Sequence, residues 1–180
     1  MTADSLTMFY PERVSDANKW LRPALMTSES VEWYTPRRIR EAVVMALGGR
    51  VDLDPCADAG KTFPAAEHYT ADDNGLPRRW NGRVYMNPPY GREIVKWTTK
   101  LHDELEAGWT TEAVALLPAR VDTGWWHDLH PRYVCFIRGR LQFSGYDCSA
   151  PFPSAAAYFG HNPGRFVRAF EPLGQLYASV

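Results

Sequence analysis

From residue 35 onward, apolar runs alternate with polar breaks marked by glycine and proline, and their period switches repeatedly between helical and extended. Ile39, Val43 and Leu47 recur at helical spacing behind Thr35-Pro36. That spacing predicts a helix capped by Thr35, with Pro36 in its first turn, stopped by Gly48-Gly49. Residues 50–54 read as a short strand followed by the loop 55–60. Between 61 and 82 the pattern weakens to a short strand at 67–70 and a turn at Asp72-Asp73-Asn74-Gly75. A strand at 83–87 follows, then a helix over 92–107 with Ile94, Trp97, Leu101 and Leu105 on one face and Gly108 at its end. Residues 113–117 form a continuous apolar run bounded by Pro118, as expected of a strand buried on both faces. A short helix near 124–129, a strand at 133–137, a turn at Gly139 into Leu141-Gln142-Phe143, and a last strand at 155–159 complete the pattern.

Strands alternating with helices predict a mainly parallel α/β sheet, and the late strands joined by a glycine turn predict an antiparallel edge. Residues 1–30 lack this regularity and read as an N-terminal arm or extension, with Trp20, Leu21, Leu25 and Met26 as its docking face. Residues 31–180 read as a single domain.

Composition narrows the class. No stretch reaches the roughly 18 apolar residues of a membrane span, and residues 1–5 carry neither the basic nor the apolar part of a secretion signal, so a cytoplasmic protein is expected. Cys56, Cys135 and Cys148 lack zinc-site spacing, and no metal is expected. A formal charge of −1 argues against nucleic-acid binding by bulk electrostatics, leaving local groups of arginines as the candidates for a basic face.

One tetrapeptide stands out. Asn87-Pro88-Pro89-Tyr90 closes a strand and suits the holding of a planar amino group. The Asn87 amide oxygen can accept one N–H, the Pro88 carbonyl can accept the other, and the Tyr90 ring can stack on the base that carries them. The two prolines stiffen the backbone and remove competing N–H donors. The competing account is a proline-rich turn. In a parallel sheet, ligands bind beyond the carboxyl ends of the strands, and two more polar strand ends lie there: Asp54-Pro55-Cys56-Ala57 and Leu117-Pro118-Ala119-Arg120.

Taken in order, Trp33-Tyr34-Thr35-Pro36, Asp52-Leu53-Asp54-Pro55-Cys56-Ala57, Asn74-Gly75-Leu76 with Trp80, Asn87-Pro88-Pro89-Tyr90, Leu117-Pro118-Ala119-Arg120 with Asp122, Thr123 and Trp125, and Gly139-Arg140-Leu141 with Phe143 resemble the bacteriophage DNA N6-adenine methyltransferase (Dam) family. The resemblance implies an abbreviated Rossmann-like methyltransferase fold, S-adenosylmethionine as methyl donor and DNA as substrate, in a bacterial host cell. It implies that Thr35 and Pro36, the segment Asp54-Pro55-Cys56-Ala57, and Asp73 or Asn74 hold the donor, with Asp54 toward its amino group. Asn87, Pro88, Pro89 and Tyr90 would then hold the target adenine.

The segment after Asp54 departs from the pattern, because it carries no Gly-x-Gly. Too few residues separate Asp54 from Asn87 for a full set of strands and helices. Arg120, Trp125, Arg138 and Arg140 are the candidate nucleic-acid contacts. Other planar amino groups, such as cytosine N4, RNA adenine or a glutamine side chain, would present the same N–H geometry, and a non-catalytic DNA-binding relative would keep the fold alone.

Overall fold

The computed structural model describes residues 34–142 and 150–178. The expected N-terminal arm, Trp33, Phe143 and Cys148 lie outside them. The described elements are helix α1 (Arg37–Ala46), strands β1 (Val51–Asp54), β2 (Ala65–His68) and β3 (Gly82–Met86), helix α2 (Ile94–Glu106), strand β4 (Thr110–Pro118), the short helix α3 (Gly124–His127), strands β5 (Tyr133–Ile137) and β6 (Ser154–Phe159), helix α4 (Pro163–Phe170), a 3-10 turn (Glu171–Leu173) and strand β7 (Gly174–Ala178).

The strands form one sheet in the order β2-β1-β3-β4-β6-β5-β7. Pairings β1 with β2, β1 with β3, and β3 with β4 are parallel, while β6 pairs antiparallel with β4 and β5, and β7 antiparallel with β5. Strands β1 to β5 therefore share one direction, and their carboxyl ends lie on one edge. Alternation along the strands sorts the core into two layers. Tyr85, Val114, Leu116, Cys135, Ala156 and Tyr158 pack with α1 and α4 on one face. Leu53, Val84, Met86, Ala113, Ala115 and Leu117 pack with Trp97 and Leu101 of α2 on the other.

Three expectations change. Thr35 does not cap α1: Pro36 holds the N-cap position without a side-chain cap, and the Thr35 hydroxyl lies 2.7 Å from the Tyr85 hydroxyl. The physical cause is burial, since the phenol of Tyr85, 1% exposed, must find a partner inside. The antiparallel part is larger than a hairpin at Gly139. Leu141 and Gln142 form no strand, Leu141 accepts a bond from the Ala150 N–H at 2.8 Å, and β6 instead slots between β4 and β5. Finally, β6 is not the last element: α4 starts at Pro163, whose fixed φ suits a first turn, buries Phe166 and Phe170 one turn apart, and leads into β7.

The amino edge of the sheet is tied by a polar hub. Glu112, 6% exposed, binds the Arg165 guanidinium at 2.7 Å, accepts the Tyr158 hydroxyl at 2.7 Å, and lies 3.9 Å from Arg83. Arg83 and Arg165 in turn donate to the carbonyls of Leu47 and Ala46, closing the C-terminus of α1 with cations where the helix dipole favours them. Glu112→Ala is expected to lower stability by about 2–3 kcal/mol, less than a fully buried pair would lose, because Arg83 and Arg165 side chains are each 31% exposed. Urea denaturation checks this, and an unchanged midpoint would remove the hub from the account of the fold.

Candidate active site

Between β1 and β3 the chain forms one strand and no helix, so the loops 55–64 and 69–81 do the work of crossover elements. Their geometry is set by side chains. The Asp58 carboxylate accepts from both the N–H and the hydroxyl of Thr62, and Asp73 accepts the N–H and hydroxyl of Thr70, each at 3.0 Å. Arg78 donates to the Asp73 carbonyl and pairs with its carboxylate at 3.7 Å. Asn74 sits at φ +50, a left-handed position that asparagine tolerates, and its side chain accepts the Leu76 N–H. A Cβ on Gly75 would lie 2.3 Å from the Pro55 carbonyl oxygen, so only glycine lets this turn close on the end of β1. The Trp80 indole N–H holds the Gly75 carbonyl at 2.9 Å. The Asn-Gly-Leu and Trp80 signal is thus a clamp that seats the second loop against Asp54-Pro55.

Asp54 ends β1 and is 4% exposed. Its Oδ1 accepts the Cys56 N–H at 3.0 Å, an Asx turn that aims the loop, and its main-chain carbonyl accepts the Tyr69 N–H. Among the described residues Oδ2 accepts no hydrogen bond. Burial pushes the carboxyl up to about 7, opposed by the Cys56 N–H and reinforced by the negative charge of Asp58. Cys56, half-buried, lies beside it, its thiol pushed well up by burial and by Asp54 and drawn back by the main-chain N–H of Asn87. Ala57 is buried, its N–H given to the Tyr69 carbonyl.

Asn87-Pro88-Pro89-Tyr90 leaves β3 at the same edge. The Tyr90 hydroxyl donates to Asn87 Oδ1 at 2.8 Å, and its ring meets Phe152 edge-on at 5.2 Å. Burial raises the Tyr90 pKa, with the Cys56 charge adding to it, so the phenol stays a donor and holds the amide oxygen in one orientation. Pro88 is buried, and its carbonyl accepts no hydrogen bond among the described residues, while Pro89 is exposed. Behind this pair, Tyr85 stacks on Phe63 at 3.9 Å and shares its hydroxyl bond with Thr35. Burial raises the Tyr85 pKa, the Thr35 bond opposes it, and Asp54, Tyr90 and Cys56 add their charge. Sequence reasoning missed Tyr85 and Phe152. Tyr85 looks like any strand aromatic, and Phe152 is marked only by the prolines on either side of it.

The expected nucleic-acid contacts are less uniform. Arg120 follows β4 on the same edge but pairs with Asp122 at 3.2 Å, an exposed bond of small worth. Trp125 is half-buried against Trp126, 5.7 Å between ring centres. Arg138 and Arg140 follow β5, exposed and without a side-chain partner among the described residues. The elements thus bring Thr35, Asp54, Cys56, Asn87 and Tyr90 together, and leave Asp73 and Asn74 engaged in building their own turn.

A seven-stranded α/β sheet whose parallel strands end at a buried carboxyl and at the Asn87-Pro88-Pro89-Tyr90 segment is consistent with a methyltransferase-like fold. The model of the DNA N-6-adenine-methyltransferase (Dam) family matches residues 23–158, and the chain belongs to that family, whose activity is methylation of adenine N6 in DNA. No curated protein matches the chain. Among the described residues no helix is long and apolar enough to cross a membrane.

The raised Asp54 carboxyl has a thermodynamic signature. Between its ordinary value of 3.8 and about 7 the folded state holds a proton that the unfolded state releases, so Asp54 costs stability as pH rises through that window. Asp54→Asn, which keeps the acceptor for Cys56, is expected to raise the Tm of the ligand-free protein at about pH 8 and to leave it unchanged near pH 3. Melting curves across pH test it; an equal effect at both ends would assign Asp54 an ordinary pKa.

Proposed function

We propose that this protein transfers a methyl group from S-adenosylmethionine to adenine N6 in DNA, with the base flipped out of the helix into the Asn87-Pro88-Pro89-Tyr90 site. The observation that carries the reading is the pair of carbonyl acceptors at the end of β3. One is oriented by a phenol that stays protonated, and the other lacks a donor among the described residues.

The residues present fit the donor. Asp54 offers a buried carboxylate oxygen without a partner among the described residues, suited to an ammonium group. Thr35 and Tyr85 share one hydrogen bond between two hydroxyls, leaving one O–H to give to a carboxylate. Pro36, Pro55, Cys56 and Ala57 shape the walls, and Asp73 or Asn74 stands toward the adenosine side. When bound, S-adenosylmethionine supplies an electrophilic methyl group.

The chain's own part is positioning and electrostatics. An adenine amino group is a poor nucleophile because its lone pair is delocalised into the ring. Asn87 Oδ1 and the Pro88 carbonyl accept its two N–H bonds and draw the nitrogen toward a tetrahedral shape, which localises the lone pair. The prolines carry no N–H and so place no competing backbone donor beside these acceptors. Tyr90 holds the Asn87 amide and presents an aromatic ring beside the base, whose unstacking costs a few kcal/mol. Arg120, Trp125, Arg138 and Arg140 contact the DNA along the same edge. The biological role that fits is modification of phage or prophage DNA in the bacterial cytoplasm, shielding it from restriction.

Asn87→Ala is expected to bind S-adenosylmethionine with unchanged affinity and to lose at least about a hundredfold in methyl transfer, the scale on which a single carbonyl or N–H partner of the transition state acts. Labelled methyl transfer to DNA, followed by nucleoside analysis, measures it, and near wild-type turnover would reject the role of Asn87. Label in N4-methylcytosine would move the reading to another amino group, and an absence of any binding heat with the wild type would leave a DNA-binding relative. Because Asp54 is charged only above about 7, donor affinity is expected to climb by up to about tenfold per pH unit below that value and to flatten above it. Calorimetry from about pH 5.5 to 8.5 should find that slope in the wild type and its absence in Asp54→Asn; a slope kept in the variant would assign it to another group.

A further inference from the structure

Among the described residues, the sheet face covered by α2 is left partly exposed at β7. Val134 pairs with Tyr177, and Phe136 with Gln175, so all four side chains emerge on that face. Trp126 of α3 stacks on Phe136, with ring centres 6.1 Å apart and planes at 27°, and Tyr177 meets Phe136 at 5.6 Å. Together they line a shallow cleft of about 230 Å³. Tyr177 is 54% exposed. Arg132 and Arg138 stand two residues beyond each end of the Val134–Phe136 row. Both are exposed, with no ion pair or side-chain hydrogen bond among the described residues.

We propose that this face binds single-stranded DNA, with bases stacked on Tyr177 and Trp126 and phosphates held by Arg132 and Arg138. Aromatic rings flanked by unpaired cations match the chemistry of a nucleic-acid strand, flat apolar bases along a line of negative charge. The row also runs toward the edge where β1, β3 and β4 end, because β5 points in their direction. A strand lying along it arrives at the site edge. This binding does not depend on the methyl-transfer reading, and Tyr177 lies outside the residues that the family model matches.

Fluorescence anisotropy with a labelled oligothymidylate of about fifteen nucleotides tests the surface. The wild type and Asn87→Ala should bind it equally, so that loss of the catalytic reading leaves this result standing. Tyr177→Ala is expected to weaken binding roughly tenfold, and Tyr177→Trp to restore it. Arg132→Ala should lower the slope of log affinity against log salt by about 0.7, while Tyr177→Ala leaves that slope in place, a difference that mere loss of folding would not produce. Unchanged affinity in both alanine variants overturns the proposal. So does tighter binding of duplex DNA or of oligouridylate than of oligothymidylate. A concentration-dependent dimer, seen by light scattering and abolished by Tyr177→Ala, would give the face to a second copy of the chain and overturn it equally.

Discussion

Trp80 is the contact on which the site depends. It is fully buried, and every polar group it carries is used: its N–H reaches Glu104 of α2, its carbonyl accepts the Thr110 hydroxyl at the start of β4, and its indole N–H holds the Gly75 carbonyl. Its ring lies over Trp97, 6.0 Å between centres. One residue, through its main chain and its indole, thus joins α2, β4 and the loop that closes on Pro55. With no helix between β1 and β3, this clamp and the main-chain bonds of Tyr69 to Asp54 and Ala57 seat the end of β1, and an indole whose donor is satisfied can be buried without penalty.

The site edge runs on a different economy. The hub at Glu112 on the amino edge is paired through, whereas at the carboxyl edge Asp54 Oδ2 and the Pro88 carbonyl accept no hydrogen bond among the described residues. Burial of an under-satisfied carboxylate raises its pKa, and burial of two phenols keeps them protonated. These are the conditions under which a polar ligand gains most on entering, because it supplies the partners that folding withheld.

Much of this was legible along the chain. The tetrapeptide, the strand-end Asp54 and the buried run of β4 all carry strong local signals, and the shortness of the segment from Asp54 to Asn87 announced a reduced set of elements. The helix over 92–107 was visible because Ile94, Trp97 and Leu101 share one face. Signals failed where the deciding partner was remote. Thr35 looked like a cap, a role that needs only its neighbours, but its hydroxyl went to Tyr85, fifty positions away. The strand β7 was missed because its residues alternate weakly and its single ladder, with β5, comes from far upstream.

By itself, then, the amino-acid sequence determined the helical or extended character of most segments up to β6 and which short motifs end the strands, because propensity, periodicity and proline stiffness act within a few residues. Only the tertiary structure decided the strand order, with β6 set between β4 and β5, and the state of each site group. Strand order follows from which apolar faces can be buried together, and pKa and hydrogen-bond partners follow from what surrounds a side chain in space. Asp54 illustrates both: its place at a strand end is a local matter, but its proton is held by burial beneath loops that Trp80 and Gly75 bring together.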